Sequence, residues 1–85
     1  MPGHVDGNAL AGPLSEIFDV DMTMAIGRCS SCGDASRLAL AMVYPKPNTF
    51  VVRCHVCDAV LFTLIQYSDR NEIDLTGIDA LQLAR

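Results

Sequence analysis

"RCSSCGDA" at residues 28–35 and "RCHVCDAV" at residues 53–60 are near-repeats of one another. Each opens on an arginine, runs through Cys-x-x-Cys and is followed at once by a small or acidic residue. Together they use all four cysteines of the chain, with 21 residues between Cys32 and Cys54. Matched pairs at this separation are the spacing of a metal site. In a zinc knuckle the loop turns tightly so that both sulfurs aim at one centre, and a residue near the second cysteine takes up positive φ. Gly33 meets that demand after Cys32, and Asp58 is the next most tolerant kind of residue after Cys57. Cys29, Cys32, Cys54 and Cys57 are therefore the candidate ligands of one structural Zn²⁺ per chain. Four thiolates close the tetrahedral shell and leave no position for a substrate.

Other uses of the thiols fit less well. A thioredoxin-like pair needs one Cys-x-x-Cys at the start of a helix in a βαβ unit, and 85 residues are too few for that fold. A rubredoxin-like Fe(Cys)₄ carrier has the same ligand set, because tetrahedral S₄ binds zinc or iron. Such carriers surround their iron with aromatics, whereas this chain has no Trp and only Tyr44, Phe50 and Phe62 near the knuckles. Iron is the alternative occupant. Two structural disulfides would require an oxidising compartment. With neither a long apolar run nor a basic start leading into an apolar segment, the chain reads as cytoplasmic, without a membrane partner.

Outward from the knuckles, the sequence reads as strands. "VDMTMAIG", residues 20–27, alternates Val20, Met22, Met24 and Ile26 with polar or small residues and reads as a strand entering the first knuckle. "RLALAMVY", residues 37–44, reads as the strand leaving it, and "PKPN", residues 45–48, as a turn. "TFVVR", residues 49–53, feeds the second knuckle, and "AVLFTLIQY", residues 59–67, leaves it, apolar enough to be covered on both faces. The fold class is a small, mainly-β zinc ribbon: antiparallel hairpins pinned by a Cys₄ site, with a short N-terminal helix. One domain spans 1–85, with a loose N-terminus at 1–6, a helix at 8–19, a ribbon core at 20–67 and a C-terminal extension at 71–85. Asn8 is the candidate N-cap, although Pro13 favours a start near Gly12. The extension offers a strand through Ile73 and Leu75, a turn at Gly77 and a second short element. A domain this small buries only about 60% of its unfolded surface, so a metal staple is expected.

No residue pattern signals catalysis. Ser30 and Ser31 have no base placed beside them, and Asp19, Asp21, Asp69, Glu72 and Asp74 read as solvated surface. No nucleophile motif or phosphate loop occurs, and the chain is read as a non-enzyme. His55 reads as a solvent-facing knuckle residue rather than a fifth ligand, and His4 as part of the loose end. Arg28 and Arg53 read as offsets to the charge of the thiolate centre, with phosphate binding as the alternative. The formal net charge is −4. Four thiolates add four negative charges and one Zn²⁺ adds two positive, giving about −6. Nucleic acid is therefore a poor partner, despite a local Arg28, Arg37 and Arg53 group, because backbone contacts need clustered Lys and Arg.

"DGNALAGPLSEIFDVDMT", "RCSSCG" and "RCHVCDAVL" resemble a family of short, uncharacterised actinobacterial proteins of unknown function, over nearly the whole chain. The resemblance implies a zinc-ribbon-like fold and no established activity. Through genes near a sulfite-oxidase-like molybdenum enzyme and a ferredoxin-reductase-like flavoprotein, it also implies an accessory subunit of a redox complex. The expected function is a protein-interaction module whose partner is another subunit or itself. With 51% hydrophobic residues, the chain has apolar excess to place. Leu10, Leu14, Ile17 and Phe18, extended by Val20, Met22 and Met24, are the expected interface, unless they fold back on the ribbon's own sheet.

Overall fold

A computed structural model describes residues 4–83. Among the described residues, eight strands form two antiparallel sheets. These are β1 (Val5–Asp6), β2 (Ile26–Cys29), β3 (Ala35–Arg37), β4 (Met42–Lys46), β5 (Thr49–Arg53), β6 (Val60–Gln66), β7 (Asn71–Asp74) and β8 (Ile78–Gln82). The larger sheet runs β1-β4-β5-β6-β7 and the smaller β3-β2-β8. The ribbon class holds: β2–β3 and β5–β6 are hairpins closed by the two Cys-x-x-Cys loops, with one short helix, α1 (Ala11–Ser15).

The core lies between the sheets. Val43, Val52, Phe62 and Leu64 from the large sheet meet Leu38 and, from the N-terminal segment, Leu10, Leu14 and Met22. Ile78 and Leu81 of β8 pack against this cluster. Leu10 and Leu14 thus fold back as structural core rather than standing free as an interface. At about 25 cal/mol per Å² of apolar area removed from water, each such leucine contributes roughly 1.5–3 kcal/mol.

Several boundaries differ from the sequence reading, some through local side-chain bonds and others through pairing with distant strands. The helix expected over 8–19 divides into a 3-10 turn at Gly7–Leu10 and the five residues of α1. Asp6, not Asn8, caps the turn, its side chain accepting from the Asn8 N–H at 3.0 Å. Residues 20–27 are not one strand. The Asp21 carboxylate takes the Thr23 N–H at 3.1 Å and caps a 3-10 turn at Met22–Met24, so the paired strand begins only at Ile26. Such local side-chain bonds offer the backbone an alternative to a ladder. Residues 37–44 are also broken, by a 3-10 turn at Leu38–Leu40. There the chain crosses from β3 in the small sheet to β4 in the large one, and one straight strand cannot belong to both. The C-terminal extension holds the strand, the turn at Gly77 and the second short element expected there, and both strands join the sheets: β7 pairs with β6, and β8 with β2. In the expected loose end, Val5–Asp6 pair with β4 and the His4 ring lies 5.5 Å from that of Tyr44; residues 1–3 lie outside the described residues.

Candidate metal centre

The two knuckles share one hydrogen-bond plan. In the first, the Cys29 N–H donates to the Asp34 carbonyl at 2.8 Å and the Gly33 N–H to the Cys29 carbonyl at 2.9 Å. In the second, Cys54 donates to Ala59 at 2.8 Å and Asp58 to Cys54 at 2.9 Å. Each loop closes on a residue with left-handed backbone, Gly33 at φ 80° and Asp58 at φ 67°. The positive φ expected from the sequence at these positions is present. Glycine adopts it freely, and aspartate is among the few other residues that do so at modest cost.

Each buried cysteine sits at or just past the end of a strand whose pairing is irregular. The β2–β8 register shifts between Arg28 and Cys29, and the β5–β6 register between Val52 and Arg53. In both cases the extra residue lies in the partner strand, Asp79 of β8 and Leu61 of β6, so the strand facing each knuckle strand bends there. Cys29 and Cys54 turn inward and are buried, while Cys32 and Cys57 are exposed. All four sulfurs lie within 4.8 Å of one another. Cys29 Sγ is 3.6 Å from Cys57 Sγ, and Cys32 Sγ is 3.7 Å from Cys54 Sγ. A tetrahedral ion with sulfur ligands at about 2.3 Å requires sulfur–sulfur edges of about 3.8 Å. The four free thiols therefore fit such an ion in both donor type and spacing. Because one knuckle hangs from each sheet, a metal held here would clamp the two sheets at one end.

The protein surroundings already bias the thiols. The Cys32 N–H, aided by that of Ser31, lowers the Cys29 thiol against the upward push of burial, to about 7 from an ordinary 9.0. The Asp34 N–H lowers Cys32, but lost solvation and the three neighbouring sulfurs outweigh it and push the group up to about 12. For Cys57 the Ala59 N–H acts downward, yet partial loss of solvation and the sulfurs of Cys29 and Cys54 leave it raised. The Cys29 thiol thus ionises more easily than an ordinary cysteine, while its crowded partners Cys32 and Cys57 hold their protons more tightly, as coupled groups sharing one centre do. Backbone N–H groups of Asp34 and Val56 point at the Cys32 and Cys54 sulfurs, both at 3.4 Å, and would stabilise thiolates there.

The neighbouring candidates sort themselves out by contact. His55 is exposed, with Nδ1 3.9 Å from Asp34 Oδ2, outside the sulfur cluster. Neither arginine turns to the sulfurs. Arg28 Nε donates to Asp79 at 2.6 Å and ties β2 to β8, and Arg53 donates to the Asp58 carbonyl at 2.9 Å while its guanidinium lies over Tyr44. Their direct contacts brace the two knuckle strands, beside the charge-offset role expected for them. Asp21 and Asp74 cap turns, and Asp69 pairs with Arg70. Gly77 carries more than its place in a turn suggested. It accepts from Ser30 of the first knuckle at 3.0 Å and donates to Leu61, close to the second, also at 3.0 Å. A Cβ at Gly77 would collide with the Val60 carbonyl. Its only sequence signal is a glycine between two short apolar runs.

Fold and site together define a small two-sheet β protein with a Cys₄ cluster able to hold a metal ion. The chain belongs to a family of unknown function, DUF6510, whose model matches residues 1–85. No curated protein and no solved structure matches it. Among the described residues, no helix is long and apolar enough to cross a membrane.

Proposed function

We propose that the chain is a non-catalytic protein-interaction module built around a structural Zn²⁺ held by Cys29, Cys32, Cys54 and Cys57. The observation that carries this reading is the convergence of all four sulfurs within 4.8 Å, one knuckle from each sheet. A closed four-thiolate shell offers no open position, so the ion's contribution is to the fold. The apolar composition and the resemblance described above favour an accessory subunit, one that serves a molybdenum- or flavin-dependent oxidoreductase through contact rather than chemistry.

A second reading follows from the exposure of Cys32 and Cys57. Two ligand sulfurs at the surface would let an Fe(Cys)₄ centre pass electrons to a docked partner, since tetrahedral S₄ holds iron as well as zinc. Elemental analysis of chain purified from its native cell, together with its visible spectrum, separates the two. One zinc per chain and no colour supports the structural reading. One iron per chain and a red ferric form replaces it with electron transfer.

A further inference from the structure

The outer face of the large sheet is ordered in rows. Cross-strand partners place Lys46, Thr49, Ile65 and Glu72 in one row, from β4 through β5 and β6 to β7. The adjacent row is Tyr44, Val51, Thr63 and Asp74. Directly opposed residues share a face of the pleat. The alternate residues Val43, Val52, Phe62 and Leu64 are buried on the inner side with the rest of the core. On the outer side Tyr44, Thr49, Val51, Thr63 and Ile65 are half-buried, while Lys46, Glu72 and Asp74 are exposed. Within these two rows the face therefore has an apolar and threonine centre, a cationic and phenolic side on β4, where Tyr44 also meets His4 and Arg53, and an anionic side on β7; the short β1 lies beyond β4.

Such a face is complementary to itself. A two-fold axis parallel to the strands, running between β5 and β6 in the plane of contact, exchanges the two edges and keeps each row at its own height. Lys46 of one copy then lies over Glu72 of the other, and the Tyr44 hydroxyl over Asp74. Thr49 meets Ile65 and Val51 meets Thr63, each pair occurring twice. Isologous contacts repeat every interaction in this way, and sheets packed face to face keep their strands nearly aligned. An axis perpendicular to the strands would set Lys46 against Lys46 and Glu72 against Glu72.

We propose that this face binds a second copy of the chain, related by that axis. The proposal deepens the interaction-module reading by naming surface and partner, and it holds whichever metal the thiols carry. Four strands about 4.8 Å apart and five residues long give a face on the order of 300 Å² in plan. Counted on both copies that is about 600 Å², below the range of stable specific interfaces, so the dimer is weak and reversible. Its geometry places both Cys₄ centres at the same end of the assembly.

Sedimentation equilibrium of the full, metal-loaded chain over a concentration series tests this, with metal content and circular dichroism checked for every variant. The wild-type chain is expected to show a monomer–dimer equilibrium. Lys46→Glu and Glu72→Lys should each weaken it by roughly tenfold, because two edge pairs per dimer turn from attraction to repulsion. Mixing the two variants should restore association, since one then presents two acidic edges and the other two basic ones. Glu72→Lys lowers the chain's net negative charge, so an effect of overall charge would strengthen its self-association rather than weaken it. A wild-type chain that stays monomeric to about 1 mM, a Glu72→Lys chain that associates more tightly, or a mixture that fails to recover would each overturn the proposal. Because metal content is measured separately, failure here is distinguishable from failure of the metal reading.

Discussion

Leu14→Ala separates a structural N-terminal segment from one that serves only as a docking arm. Leu14 is 2% exposed and faces an apolar gap of about 20 Å³ shared with Phe18, Met22, Leu38, Phe62 and Ile78. Leucine-to-alanine changes in cores cost about 2–5 kcal/mol, the upper part of the range applying where the surroundings cannot collapse into the space. Here two sheets fixed by their own ladders form the walls, so about 3 kcal/mol is expected. For a domain of this size 1 kcal/mol moves the melting point by about 4–8 °C, which places the variant about 15 °C below wild type. Thermal unfolding of the metal-loaded chain, followed by far-UV circular dichroism, reads this directly. Ile17→Ala is the control: Ile17 is 37% exposed, and its loss should cost under about 1 kcal/mol. Equal melting points for Leu14→Ala and wild type would refute the packing of this segment between the sheets.

Gly77→Ala should destabilise by about 2–3 kcal/mol, because the new methyl group meets backbone carbonyls at Val60 and Leu61 that have no room to retreat; a denaturant midpoint within error of wild type would contradict this. Arg53→Gln removes the bond to the Asp58 carbonyl and should cost about 1 kcal/mol, whereas Arg28→Gln breaks an exposed ion pair and should cost less. Competitive zinc titration should show the same order, and equal losses from both would count against the bracing role of Arg53. Metal affinity should rise with pH. Cys32 keeps its proton up to about 12 in the metal-free chain, so binding must expel it, and added protons favour release. Affinity that stays flat across the neutral range would show that the thiols are already ionised.

The knuckles were legible because their chemistry is local. Spacing, the glycine after Cys32 and the aspartate after Cys57 are all contained in stretches of a few residues, and the structure draws the four sulfurs into one cluster. The strands flanking them were legible from β-branched and alternating residues, and β5 was found with its bounds. Less was visible where a tertiary demand cut across a local pattern. The alternation of Val20, Met22 and Met24 mimics a strand, but a capping aspartate at residue 21 takes the backbone into a turn. Residues 37–44 look continuous because nothing local marks a change of sheet, and Leu38 turns there to fill the core. The division into two sheets, with one knuckle on each, is a matter of pairing between distant segments. The β2–β8 ladder joins residues about fifty positions apart and left no signal in periodicity.

Chelator titration of the purified chain, following metal release and circular dichroism in the same sample, tests the clamp most directly. Structural zinc contributes about 10–16 kcal/mol of apparent binding free energy in small finger peptides, more than a domain of this size holds in reserve. Loss of one metal ion per chain should therefore coincide with cooperative loss of the β signal, and Cys29→Ser or Cys54→Ser should reproduce it without chelator. A chain that gives up its metal and keeps both its spectrum and its melting point would contradict the account, because the two sheets would then be holding each other without the Cys₄ centre.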